Sequence, residues 1–117
     1  MRTNDANKLL ANRSCRSCVW GVKLPGEKIG EYKSQISSEW SFESDGGIEK
    51  LYRRWKFKNF NEAKAFVDKI SELAEAEGHH PDITFSYDYV EIVLYTHKAG
   101  GLAEEDFILA AKIDKIL

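Results

Sequence analysis

No stretch of this sequence stays apolar for the roughly 18 to 20 residues that a bilayer-crossing helix needs, so no membrane partner is expected. An excess of one charge is missing too. Seventeen Lys and Arg stand against 19 Asp and Glu, for a net charge of -2, and nothing in that balance draws the chain to nucleic acid. Cysteine is reduced to Cys15 and Cys18, a lone C-x-x-C. A zinc site would need two more ligands, and the nearest histidines lie some sixty residues downstream. A redox pair of thioredoxin type would want a preceding strand and a following helix, which "NRSCRSCVWGV" does not supply. Two reduced thiols are therefore expected. Internal repeats and low-complexity segments are absent. The start, "MRTNDANKLLANRS", lacks the apolar centre and cleavage site of a secretory signal, and only its arginines and shortage of acids resemble a transit peptide. A cytoplasmic location is expected, with organellar targeting left open.

What is present suits one globular domain over residues 1–117, with an irregular N-terminal arm over 1–26. Ile29, Tyr32, Lys33 and Ile36 recur at helical spacing behind Pro25 and Gly26, which predicts a short helix from Glu27 to Ser37. Two strands are expected around Asp45-Gly46-Gly47, a turn where glycine supplies positive φ. In "FNEAKAFVDKISELAEAEG" the residues Ala63, Phe66, Val67, Ile70, Leu73, Ala74 and Glu77 share one helical face, with Asn61 expected to cap the start and Gly78 the end. Strands follow at Ile83–Phe85 and Tyr89–Thr96, with a turn near Tyr87 and Asp88. A last helix is expected from Ala103, its first turn carrying three acids. Its apolar residues, Phe107 to Ala111, Ile113, Ile116 and Leu117, cover more than one face, so one face is assigned to the core and another to a contact between subunits. The order α-β-β-α-β-β-α implies an α+β fold, a four-stranded antiparallel sheet with helices packed on one face.

All three histidines of the chain fall between Glu77 and His97. His79 and His80 emerge at a helix end, with Pro81 forcing an extended backbone, and His97 leaves the end of a strand. A lone histidine is usually a packed or solvated residue; three that meet at one rim of a sheet can do chemistry. A three-histidine zinc site is one reading, although adjacent histidines diverge along an extended chain and seldom reach one ion. General acid/base catalysis is the other. An imidazole with a reference pKa of about 6.5 serves as acid or base near neutrality, which suits loss or addition of water. Glu75 and Glu77 either solvate the helix end or orient an imidazole, and Asp106 either caps the last helix or does the same.

This window resembles the pterin-4a-carbinolamine dehydratase family, the dimerisation cofactors. The likeness rests on Glu75, three residues, His79-His80-Pro81, five residues, Tyr87, nine residues, His97, eight residues and Asp106. "THKAGGLAEEDFILAAKI" is similar to the family's passage from strand to helix, and the likeness runs from Trp40 to Ile116. The resemblance implies a dehydratase that removes water from 4a-hydroxytetrahydropterin to give the quinonoid dihydropterin, without cofactor or metal, in tetrahydrobiopterin regeneration. It implies catalytic roles for His79, His80 and His97, and a pterin site lined by Gly78, Pro81, Tyr95, Thr96 and Lys98. A flat pterin also wants an aromatic or apolar wall, which Pro81 or a nearby Tyr or Trp supplies. Glu75 and Asp106 are the candidate orienting acids. The resemblance further implies a homodimer or homotetramer and functional coupling to a pterin-dependent hydroxylase. A non-catalytic assembly or transcriptional cofactor on the same scaffold is the alternative. One departure is Gly78, where many relatives carry an acid; Glu77 is the candidate substitute.

Overall fold

The computed structural model describes residues 9–15 and 20–116; Cys18, Leu117 and the rest of the N-terminal arm lie outside them. Helix α1 spans Gly26–Lys33, strands β1 and β2 span Ser41–Asp45 and Ile48–Lys56, and helix α2 spans Phe60–Glu77. Strands β3 and β4 follow at Asp82–Phe85 and Tyr89–Leu94, and helix α3 closes the order at Glu104–Asp114. Short 3-10 turns at Leu10–Asn12 and His97–Ala99 complete it. The sheet runs β1-β2-β4-β3 and every neighbouring pair is antiparallel. This is the expected α+β sandwich.

Period-two alternation decides which side of the sheet is covered. Val90, Ile92 and Leu94 on β4 and Leu51 and Trp55 on β2 are buried beneath the helices, whereas Tyr52 and Glu91 belong to the opposite face. There the Tyr52 hydroxyl donates to Glu91 Oε2 at 2.6 Å. That bond, with partial desolvation second, raises the phenol above its usual value of 10.0. Since the folded-state pKa is the higher one, the stabilisation is complete below the unfolded value and is lost as pH rises through the folded one. Difference absorbance at 295 nm in an alkaline titration should show a late-ionising tyrosine in the wild type that disappears in Tyr52→Phe and ionises earlier in Glu91→Gln.

Gly46 and Gly47, at φ 59° and 84°, form the β1–β2 turn. Helix α2 buries Ala63, Phe66, Ile70 and Ala74, the core of its apolar stripe, and ends at Gly78 in the left-handed conformation. Its N-cap is Asn59, not the expected Asn61: the Asn59 side chain accepts from Glu62 N at 3.0 Å. Asn61 already lies inside the first turn. Asn59→Ala should cost about 1 kcal/mol in urea unfolding, and Asn61→Ala much less.

Two further expectations are corrected. Helix α1 ends at Lys33, short of Ser37: the chain tightens into three-residue turns, with Gln35 N bonding Tyr32 O at 3.0 Å and Ile36 N bonding Lys33 O at 3.4 Å, and Ser37 N leaves the helix for Asp114 Oδ2 at 2.8 Å. Helix α3 does not present an apolar face outward. Phe107 to Ala111 and Ile113 are all buried within the one chain, in a core that also holds Leu10, Cys15 and Tyr32. The surplus apolar surface read as a subunit contact is covered by the chain's own N-terminal segment. Arg13 fastens that segment by an ion pair to Glu104 at 2.7 Å.

Candidate active site

The antiparallel pairing of β3 with β4 explains why the histidines meet. Asp82 pairs with Val93, so the start of β3 lies beside the end of β4, and His79-His80 lead into the one as Tyr95 to His97 leave the other. The left-handed turn at Gly78 delivers the chain from α2 to this position, and β4 delivers His97 one residue beyond Thr96. Gly78, His79, His80, Tyr95, Thr96, His97 and Lys98 line one cavity of about 330 Å³, together with Trp20. Pro81 does not line it. Gly78 adopts φ 72°, a conformation that an acidic residue at this position would occupy only under strain.

Each imidazole has its own partner. His79, 6% exposed, places Nε2 2.7 Å from Asp106 Oδ1. Asp106 is itself fully buried, and its Oδ2 accepts from Ala103 N and from the Thr96 hydroxyl, both at 2.9 Å. One carboxylate thereby ties the start of α3, the end of β4 and the ring that follows α2. His80 is exposed, and its Nε2 is paired with Glu75. His97 Nε2 lies 2.7 Å from the Tyr95 hydroxyl. The three rings thus differ in environment: one clamped by a buried carboxylate, one beside an exposed carboxylate and one beside a phenol. Such an arrangement presents three imidazoles, each oriented by a different group, to one cavity.

Both candidate orienting acids lie within bonding distance of a histidine. Glu77, the suggested substitute for an acid at 78, does not: its Oε1 accepts from Cys15 N at 2.8 Å and its Oε2 lies 3.8 Å from Lys112 Nζ. It anchors the N-terminal segment instead. Two residues at the site were not named from sequence. Trp20 sets its ring edge-on to His79 with centroids 5.2 Å apart, and Glu105 is buried beside Asp106. A wall of Tyr or Trp was expected in general terms, but no periodicity or motif links Trp20 to His79 far along the chain, and Glu105, next to Asp106, reads in sequence as one of the acids of a helix start.

Among the described residues no helix is long and apolar enough to cross a membrane. The family model described as pterin 4 alpha carbinolamine dehydratase matches residues 22–116. A protein of Halorhodospira halophila, provisionally named a pterin-4-alpha-carbinolamine dehydratase, is 44% identical over 92% of this chain and 96% of its own length. One of Alkaliphilus metalliredigens with the same provisional name is 46% identical over 91% and 94%. Among solved structures, a transcriptional coactivator/pterin dehydratase from Brucella melitensis is similar at a TM-score of 0.68 and 30% identity, covering 78% of this chain and 94% of that one. A pterin dehydratase-like protein identified as a RuBisCO assembly factor in the alpha-carboxysome is similar at 0.55 and 28%, covering 65% and 86%.

Proposed function

Because the chain belongs to the pterin-4-alpha-carbinolamine dehydratase family, we propose that it removes water from 4a-hydroxytetrahydrobiopterin to give quinonoid dihydrobiopterin, in the regeneration of tetrahydrobiopterin. The observation that carries this reading is the convergence of His79, His80 and His97 on one cavity, each with a different hydrogen-bonding partner. The reaction needs two proton movements. The 4a-hydroxyl takes a proton and leaves as water, and N5 loses its proton as the C4a–N5 double bond forms. No electrons are exchanged with a cofactor.

His79 and His97 are the acid/base pair in this proposal, and His80 binds the substrate. Asp106 fixes the plane of His79 and stabilises its ring when it carries a proton. Tyr95 holds His97 Nε2. Gly78, Tyr95, Thr96 and Lys98 border the pterin. The enzyme acts in the cytosol as a homodimer or homotetramer, coupled to a pterin-dependent hydroxylase; size-exclusion chromatography with light scattering tests the assembly.

The test of the reaction is decay of the transient 4a-hydroxytetrahydropterin absorbance, generated in situ by a hydroxylase, with and without the protein and with a chelator present. Faster decay that survives chelation is expected. No acceleration by folded protein would overturn the reading, and acceleration abolished by chelation would replace acid/base catalysis with a metal mechanism. His79→Ala with His97→Ala should reduce turnover to the uncatalysed rate; unchanged turnover would remove these residues from the mechanism. The second reading, an assembly or coactivator role, is favoured by the roles named for the two solved relatives. It would be supported if the wild type were inactive.

A further inference from the structure

The proposed reaction uses the three histidines and Asp106 but leaves unused a charged side chain buried beside them. Glu105 is 0% exposed. Its Oε2 accepts from Gly21 N at 3.0 Å and lies 3.1 Å from the Thr96 hydroxyl, while its Oε1 has no partner among the described residues. A buried carboxylate with an idle oxygen is costly, and an apolar side chain would fill the space without that cost. The bonds it makes therefore point to a positional task. Thr96 has one hydroxyl hydrogen and two carboxylates within reach, Glu105 and Asp106, so it cannot serve both at once. The bond from Gly21 N is the one Glu105 keeps in either arrangement.

Gly21 follows Trp20. The stem of Lys98 lies beside the glycine, where a Cβ would come 3.0 Å from Lys98 Cδ. The backbone at this point is bonded to Glu105 through the Gly21 amide. Trp20, on the same short stretch, lines the histidine cavity yet remains 42% exposed, whereas Trp40 and Trp55 are at 1% and 8%. A large ring held at a cavity mouth with much of its surface open is suited to covering a flat ligand. Trp20 also lies ahead of residues 22–116, so the family match assigns it nothing.

We propose that Glu105 is a positioning residue that fixes the Trp20–Gly21 backbone, and that Trp20, so held, is the aromatic wall against which the flat pterin ring packs. The inference rests on the dehydratase reading above. Biopterin, which is already oxidised and cannot be dehydrated, serves as the binding probe in calorimetric titration, beside steady-state KM and kcat. Trp20→Ala should weaken biopterin binding and raise KM by about 10-fold, with kcat changed much less, and Trp20→Phe should recover most of the loss. Glu105→Ala should weaken biopterin binding similarly, and the double variant should be little worse than either single one, because one residue acts through the other. Glu105→Gln, whose amide oxygen can still accept from Gly21 N, should bind near wild-type strength. Hydrogen exchange at the Gly21 amide of the wild-type protein needs no variant and should be slowed.

Unchanged binding in Trp20→Ala, multiplying effects in the double variant, or open-chain exchange at Gly21 would each overturn the proposal while an active wild type leaves the dehydratase reading standing. A wild type that neither binds biopterin nor speeds the decay would remove both.

Discussion

Asp106→Asn is expected to lower kcat by about 10²-fold, with a smaller change in KM and an unchanged circular-dichroism spectrum. The size of the effect follows from the direction of the bonds. Asp106 Oδ2 accepts from Ala103 N and the Thr96 hydroxyl, so the amide oxygen of an asparagine must take that place. Its NH2 group then faces His79 Nε2, which has to become the acceptor. The ring is held in the opposite tautomer, and the carboxylate that would stabilise its protonated form is gone. Asp106→Ala should do the same to kcat and also destabilise the fold, because Ala103 N loses its buried acceptor and Thr96 Oγ1 is left with Glu105 alone. A kcat within threefold of wild type for the asparagine variant would reduce Asp106 to a helix cap.

The largest effect on stability is expected at Asp114. Oδ1 accepts from Trp40 Nε1 at 2.8 Å and pairs with Arg53 Nη1 at 2.6 Å, and Oδ2 accepts from Ser37 N. The side chain joins the last turn of α3 to β2 and to the loop after α1. Removing it leaves Arg53 without its ion-pair partner while Arg53 Nε is already buried and unpaired among the described residues. Trp40, 1% exposed, is left with an indole N–H to satisfy. Asp114→Ala should therefore lose about 2 to 3 kcal/mol in urea unfolding, below the range for a fully buried pair because both partners keep some contact with water. A loss under about 0.5 kcal/mol would mean that water takes over all three donors. Asp114 lies away from the histidine cavity, so kcat in the folded variant should be unaffected.

How much of this was legible in the sequence depended on whether the signal was local. The alternation of Val90, Ile92 and Leu94 and the 3.6-residue stripe of Phe66, Ile70 and Ala74 are local patterns, and they lead directly to β4 and α2. Gly46-Gly47 and Gly78 state their turns in one or two residues. The histidine window could be read because its members flank adjacent strands. Where a bond joins distant segments, no such pattern exists. Glu77 holds Cys15 and Glu105 holds Gly21, across 62 and 84 residues, and in sequence both look like ordinary helix acids. The misjudged face of α3 has the same origin: its apolar residues were visible, but that Leu10, Cys15 and their neighbours cover them was not. Asn59 and Asn61 are equally good caps by composition, and only the helix's starting phase separates them.

Those distant bonds have a consequence for the rate at which a newly made chain becomes competent. The hairpin of β1 and β2 and the helix α2 can form early, since their contacts are short-range. Asp106 reaches His79 across 27 residues, Glu105 reaches Gly21 across 84 and Glu104 reaches Arg13 across 91. Loop-closure entropy must be overcome before any of these returns energy, so such contacts form late and slow the final step. Refolding followed by far-ultraviolet dichroism should then run ahead of refolding followed by recovery of turnover. A chain whose helix α2 is formed before α3 has docked would hold His79 with no carboxylate behind it.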